Sequence, residues 1–260
     1  ALAVGCGGGN DDTSAEGDAA STEEGGSGEW DNTQTITVVS REEGSGTRGA
    51  FVELMGVVDE DDNDITTVNA EITNSTSVML TTVAGNPAAI GYVSLGSLSD
   101  EVKAIKVDGV AATVEDINNG TYKVARPFLV AYKDGSLTDV AQDFLNYIMS
   151  DDGQAIINEE GYISVAEGNT YTASGMSGRI VLAGSTSVSP VMEVLADAYK
   201  ALNPDVTIEI QQTGSGAGIT SAIEGVCDFG MSSRALTDEE AAELVNTQIA
   251  TDGIAVVVNN

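Results

Sequence analysis

Three times in this chain an aliphatic run ends in a Gly/Ser turn and a helical pattern begins at once. Thr35-Ile36-Thr37-Val38-Val39 leads into Gly44-Ser45-Gly46-Thr47, after which Ala50, Phe51, Leu54 and Met55 share one helical face. Arg179-Ile180-Val181-Leu182-Ala183 leads into Gly184-Ser185-Thr186-Ser187. Val188, Val191, Met192, Leu195, Tyr199 and Leu202 then recur at helical spacing until Asn203-Pro204. Val206 to Ile210 alternates as a strand and runs into Thr213-Gly214-Ser215-Gly216-Ala217-Gly218, with a helix to Gly225. A strand followed directly by a helix returns to its sheet by a crossover, so these units predict an α/β architecture with a mostly parallel sheet.

The rest of the chain fits that frame. Gly85-Asn86-Pro87 marks a turn before a short strand at Ile90–Val93, and 105–107 and 122–132 read as strands, the second broken at Arg126-Pro127. Thr138 caps an amphipathic helix to Met149, and a second helix covers 151–159. Thr237-Asp238-Glu239-Glu240 is a capping box for one more helix, and Ile254 to Val258 is a final strand.

Each Gly/Ser turn places small residues and hydroxyls at a helix start, where the first backbone N–H groups have no helical partner and the dipole favours negative charge. Glycine lets the backbone approach a ligand closely. One arginine would add a bidentate, charge-assisted pair. Arg41, three residues before the first turn, is the natural candidate, with Arg48 and Arg234 as others. These features predict a binder of an oxyanion.

Composition removes competing functions. The chain has 260 residues and no histidine, which takes away the commonest general base and the usual zinc sites. Lys and Arg number 10 against 41 Asp and Glu, a net charge of −31 that argues against nucleic acid as a partner. Neither a GxxxxGK[ST] loop nor a GxGxxG after a strand is present, so nucleotide binding has no support. A nucleophilic serine would need a base, and none is visible. No enzyme activity, metal or cofactor is expected.

The N-terminal part has its own logic. Leu2-Ala3-Val4-Gly5-Cys6 followed by Gly7-Gly8-Gly9 looks like the lipobox of a bacterial lipoprotein, which would make Cys6 the lipidated residue and 1–29 a signal remnant with an acidic tether. Residues 7–29 carry no aliphatic side chain larger than Ala and cannot bury enough surface to order themselves. The tract holds seven of the 41 acids and no base, so the remainder still stands at −24. Cys227 reads as a small buried hydrophobe, and no disulfide to Cys6 is expected.

Several segments together resemble the phosphate-binding protein of the bacterial phosphate ABC importer. They are Ser40–Arg48 (SREEGSGTR), Ala183–Ser187 (AGSTS), Gly214–Gly218 (GSGAG), Asp228–Arg234 (DFGMSSR), Ala89–Val93 (AIGYV) and Arg126-Pro127-Phe128. The resemblance spans nearly all of 30–260. It implies a type II periplasmic-binding-protein fold, two α/β lobes with a ligand cleft between them. The lobes would be 30–124 on one side and 125–166 with 179–260 on the other, joined by a linker at 167–178. It implies phosphate contacts from Arg41, Ser45, Gly46 and Thr47 in one lobe and from Thr186, Ser215 and Ser233 in the other. It also implies an extracytoplasmic, membrane-anchored monomer that serves the membrane permease of an importer.

Three departures stand out. The AGSTS-like segment follows the SREEGSGTR-like one, the reverse of typical members, as in a circular permutant. The chain is also expected to be truncated at both ends, with exposed apolar surface on the 30–124 lobe. Some members carry an aspartate where Ser233 stands, so exclusion of sulfate is less strongly built in. A sulfate binder or a phosphatase-like protein on the same fold is the alternative.

Overall fold

The computed structural model describes residues 33–260, so Cys6, Trp30 and the acidic tract 7–29 lie outside the described residues. The first half of the chain supplies β1 (Thr37–Arg41), α1 (Gly46–Met55), β2 (Glu71–Thr73), α2 (Thr76–Ala84), β3 (Ala89–Ser94), β4 (Val102–Ile105) and α3 (Val114–Asn118). Next come β5 (Ala125–Tyr132), α4 (Asp139–Ile148), α5 (Asp151–Glu159), β6 (Ser177–Gly184) and α6 (Ser189–Leu202). The last elements are β7 (Asp205–Gln212), α7 (Ser215–Glu224), β8 (Phe229–Ser232), α8 (Asp238–Glu243) and β9 (Val245–Asn259).

Local chemistry sets these boundaries. Ser45 caps α1 by accepting from the Arg48 N–H at 3.3 Å, and Gly56 ends it in the left-handed conformation (φ 66°). Thr138 caps α4, and the Thr237/Glu240 capping box opens α8 as its sequence predicts. Helix α2, with β2 and α3, has no clear sequence pattern. Its run Thr-Ser-Val-Met-Leu-Thr-Thr-Val-Ala is rich in β-branched residues, and burial of Met79 and Val83 overrides that weak propensity.

The strands form one sheet in the order β2-β1-β3-β9-β5-β8-β6-β7, with β4 also paired to β9. The sheet is mixed, not mostly parallel. The crossover units do pair in parallel, β1 with β2 and β3, and β6 with β7 and β8. β9 runs antiparallel to β3, β4 and β5, and β5 runs antiparallel to β8. β9 is far longer than the expected strand at 254–258, because Gln248, Thr251 and Asp252 interrupt its apolar pattern without breaking the ladder. β5 likewise continues through Arg126-Pro127. Pro127 lies outside the stretch that pairs with β8, so its missing N–H leaves no gap in that ladder.

β9 hands over between two halves of the sheet at Gly253–Ile254. Residues 245–253 pair with β5, and 254–259 lie between β3 and β4. The half built on β5–β8 has a large core around Phe128, Phe144, Ile180, Leu182, Met192 and Tyr199. The half built on β1–β4 packs Val39, Met79, Val83, Val93, Ala255 and Val257. This second half exposes Ile36, Val38, Ile65, Val68, Ile72 and Val78. Between β6 and α5, the stretch 167–176 runs mostly over the surface and is pinned by the Tyr171 hydroxyl, which donates to Asp143 at 2.6 Å.

Candidate anion-binding site

Arg41 ends β1 with only 2% of its surface exposed. Its Nε and Nη2 donate to the two carboxylate oxygens of Glu42 at 2.8 Å each, and Nη2 also donates to Thr186 Oγ1 at 3.1 Å. Its main chain is held too. The N–H reaches the Tyr92 hydroxyl at 3.3 Å, and the carbonyl accepts from Arg48 Nη1 at 2.9 Å. A charged group this deep is tolerated because the Glu42 carboxylate balances it and its Nε and Nη2 donors are taken up.

The turn after β1 passes through Gly44 in the left-handed region (φ 83°), which delivers the α1 N-terminus, with Gly46 and Thr47 as its first residues, into the same place. Opposite lies the turn after β6. There Ser185 serves as an internal cap, accepting from the N–H groups of Ser187 and Val188 at 3.2 and 3.3 Å. Thr186 and Ser187 are thereby freed to face the first turn. Ser187 Oγ lies 2.9 Å from Thr47 Oγ1. The third turn closes the group. The Gly216 N–H donates to the Gly44 carbonyl at 3.0 Å, and Ser215 Oγ accepts from the Ser233 N–H at 3.1 Å. A Cβ on Gly46 would collide with Ser215 Oγ and come within 2.7 Å of Ser233 Oγ.

Arg41 thus meets Thr186, Gly46 meets Ser215 and Ser233, and Thr47 meets Ser187, whereas Ser45 makes its described hydrogen bonds only within its own turn and helix. The Ser45 hydroxyl is taken up by capping α1. The other two candidate arginines are engaged otherwise: Arg48 donates Nε to Asp64 at 2.7 Å and Nη1 to the Arg41 carbonyl, and Arg234 makes a two-pronged pair with Glu240, both contacts at 2.7 Å.

Four residues at this place escaped the sequence reading as site components. Arg126 faces Asp252 across the β5–β9 ladder and donates Nε and Nη2 to its Oδ2 at 3.0 and 2.9 Å. Its Nη1 donates to Thr47 Oγ1 at 2.7 Å and to the Ser233 carbonyl at 3.2 Å. Asp252 also accepts from Ser94 Oγ at 2.9 Å. Burial pushes the Asp252 carboxyl up and the Arg126 guanidinium down, and their mutual attraction opposes both shifts. The remaining two are Thr76, at the start of α2, and Ser187. Arg126 and Asp252 were each signalled by a charge inside an apolar strand, Arg126 also by the Arg126-Pro127-Phe128 segment, and Ser187 by its place in the Gly184–Ser187 turn. Thr76 had none, since α2 itself was not foreseen.

Two buried guanidinium groups, each paired with a carboxylate, three helix starts and a chain of hydroxyls come together here, groups of the kind that can hold a small anion rich in oxygen. None of Thr47, Thr76, Thr186 or Ser187 gives its proton to a carboxylate in the described hydrogen bonds, so none is set up as an activated nucleophile. Among the described residues no cluster of His, Cys, Asp and Glu could hold a metal ion, and no helix is long and apolar enough to cross a membrane.

Residues 25–152 and 169–260 match the PBP superfamily domain. The phosphate-binding protein PstS 2 of Streptococcus agalactiae is 53% identical over 230 residues, covering 86% of this chain and 78% of its own. The chain belongs to the PBP superfamily and, within it, to the PstS family. A solved PstS-family structure, the phosphate-binding protein of a phosphate ABC transporter from Streptococcus pneumoniae, superposes with a TM-score of 0.69 at 48% identity. It covers 87% of this chain and 90% of its own. PstS of Bacillus subtilis matches more narrowly, 33% identical over 136 residues, which is 52% of this chain.

Proposed function

We propose that this PstS-family chain is an extracytoplasmic solute-binding protein that captures inorganic phosphate and delivers it to the permease of an ABC importer. The observation that carries the reading is the convergence of Arg41, Thr47 and Thr186, with Ser215 and Ser233, at a buried junction of the two sheet halves. The halves act as lobes, 30–124 completed by the 254–259 end of β9 against 125–166 with 179–253, in place of the 179–260 that the resemblance implies, and the ligand lies where they meet. Cys6 is the lipid anchor, the protein acts as a monomer, and it binds without turning its ligand over. The exchanged order of segments is a permutation shared with the Streptococcus relatives. A single match runs through 230 residues of the S. agalactiae protein, whereas the B. subtilis protein matches over only about half the chain.

The test is native mass spectrometry of the purified protein with phosphorus analysis of the bound ion, followed by calorimetric titration with phosphate and with sulfate. Stoichiometric phosphorus and a tighter fit for phosphate support the reading. A bound ion without phosphorus, or sulfate binding equally tightly, points to the sulfate alternative that Ser233 leaves open. Because the ligand is surrounded by fixed dipoles, surface carboxylates beyond about 8 Å are screened at physiological ionic strength and affinity changes little with salt.

A further inference from the structure

Four buried hydroxyls at the junction form an unbranched chain. Thr47 Oγ1 lies 2.9 Å from Ser187 Oγ, Ser187 Oγ 3.0 Å from Thr76 Oγ1, and Thr76 Oγ1 3.3 Å from Thr186 Oγ1. Each end meets a guanidinium: Arg126 donates to Thr47 at 2.7 Å and Arg41 donates to Thr186 at 3.1 Å. Among the described residues these five contacts are the hydrogen bonds of the four oxygens.

The protons of this chain can be counted. Each hydroxyl has one proton to give and two lone pairs to receive. Three links between four oxygens use three protons. The fourth cannot leave through either end, because a guanidinium has donors and no acceptor. Whichever way the chain is read, one O–H is turned out of it, in a place where an unmet donor is costly.

We propose that Thr76 and Ser187 are specificity-determining positioning residues: the Thr47–Ser187–Thr76–Thr186 relay turns one hydroxyl proton toward the bound ion and so requires an unprotonated oxygen there. The proposal rests on the phosphate reading and adds to it how many hydroxyl protons the ion must accept. Thr76 belongs to α2 and Ser187 to the turn after β6, so the relay is complete only when both halves of the sheet contribute. Removing an inner hydroxyl splits it. Without the Thr76 hydroxyl, Thr47–Ser187 and Thr186 each have one proton with no internal acceptor, and the ion must then accept two. A fully deprotonated ion meets that demand better than one that carries protons.

The experiment is calorimetric titration of the full chain with inorganic phosphate from about pH 5.5 to 8.5, a range over which phosphate groups lose their second proton, and with sulfate by displacement. Thr76→Val removes two hydrogen bonds of the relay and is expected to weaken phosphate binding about tenfold at pH 7.5. The sulfate-to-phosphate affinity ratio should rise, and phosphate binding should fall more steeply toward low pH. Thr76→Ser, which keeps the hydroxyl, should stay within about twofold of wild type. Ser187→Ala cuts the relay at a different link and should show the same two changes, should Thr76→Val fail to fold. Phosphate affinity unchanged in both cut variants, Thr76→Ser as weak as Thr76→Val, or an unchanged sulfate-to-phosphate ratio overturns the relay. Wild-type protein that takes up neither ion overturns the phosphate reading as well; wild-type binding with indifferent variants overturns the relay alone.

Discussion

Arg41→Ala should nearly abolish phosphate binding while leaving the fold intact, and the structure shows why the loss has two parts. The guanidinium is buried, and truncating one member of a desolvated charge pair costs on the order of 2–5 kcal/mol, roughly 30- to 4,000-fold in affinity. The second part is Glu42. Its carboxylate is neutralised by two 2.8 Å contacts with Arg41, and the Ala variant leaves that charge at the mouth of an anion site. A like charge about 5 Å from the ion repels it by about 3 kcal/mol at an effective dielectric of about 20. The double variant Arg41→Ala/Glu42→Gln should therefore bind phosphate more tightly than Arg41→Ala, though far below wild type. Arg41→Lys should recover only part, because one ammonium cannot span Glu42 and Thr186 together. Calorimetry with a thermal-unfolding control reads all four proteins. An Arg41→Ala affinity within threefold of wild type would refute the assignment, and a double variant no better than the single one would remove Glu42 from the argument.

Gly46→Ala should weaken phosphate binding by roughly 1–3 kcal/mol, since its methyl would lie on Ser215 and Ser233 and hold the halves apart; binding equal to wild type would show that the close approach is dispensable. Burial pushes the Cys227 thiol up to about 11, so it should stay unlabelled by a thiol reagent at neutral pH and react fully in denaturant. The hydrogen bonds from Arg234 hold the Glu240 carboxyl below its ordinary 4.5, so it favours the folded state fully above that pH and progressively less as pH falls through the lower folded value. Glu240→Gln should flatten that part of the acid side of the stability curve, measured by denaturant titration at several pH values.

The fold class and most of the residues of the candidate site were legible because both rest on local rules. Three Gly/Ser turns at strand ends identify themselves through glycine and hydroxyl placement, and Arg41 follows from proximity to the first. What escaped depends on pairing across long separations. Nothing local marks Asp252 as the partner of Arg126, because the two meet only through the β5–β9 register. The same blindness made the sheet look mostly parallel, since a strand pattern reveals its faces but not its direction relative to neighbours. Thr76 is illegible for another reason: its helix is stabilised by the core contacts of Met79 and Val83, not by its own propensity.

The single strand β9 has a consequence for how the molecule is made. Ile90 must find Val258, and Ala125 must find Gly253, before either ladder is whole. Closing loops of that length carries an entropic penalty that only long-range pairing offsets, which slows folding. During synthesis neither half can be completed until residues 245–259 have emerged, although the rest of its strands are already present. A ribosome-bound chain ending anywhere before Val245 therefore carries two open sheet edges waiting for the same strand.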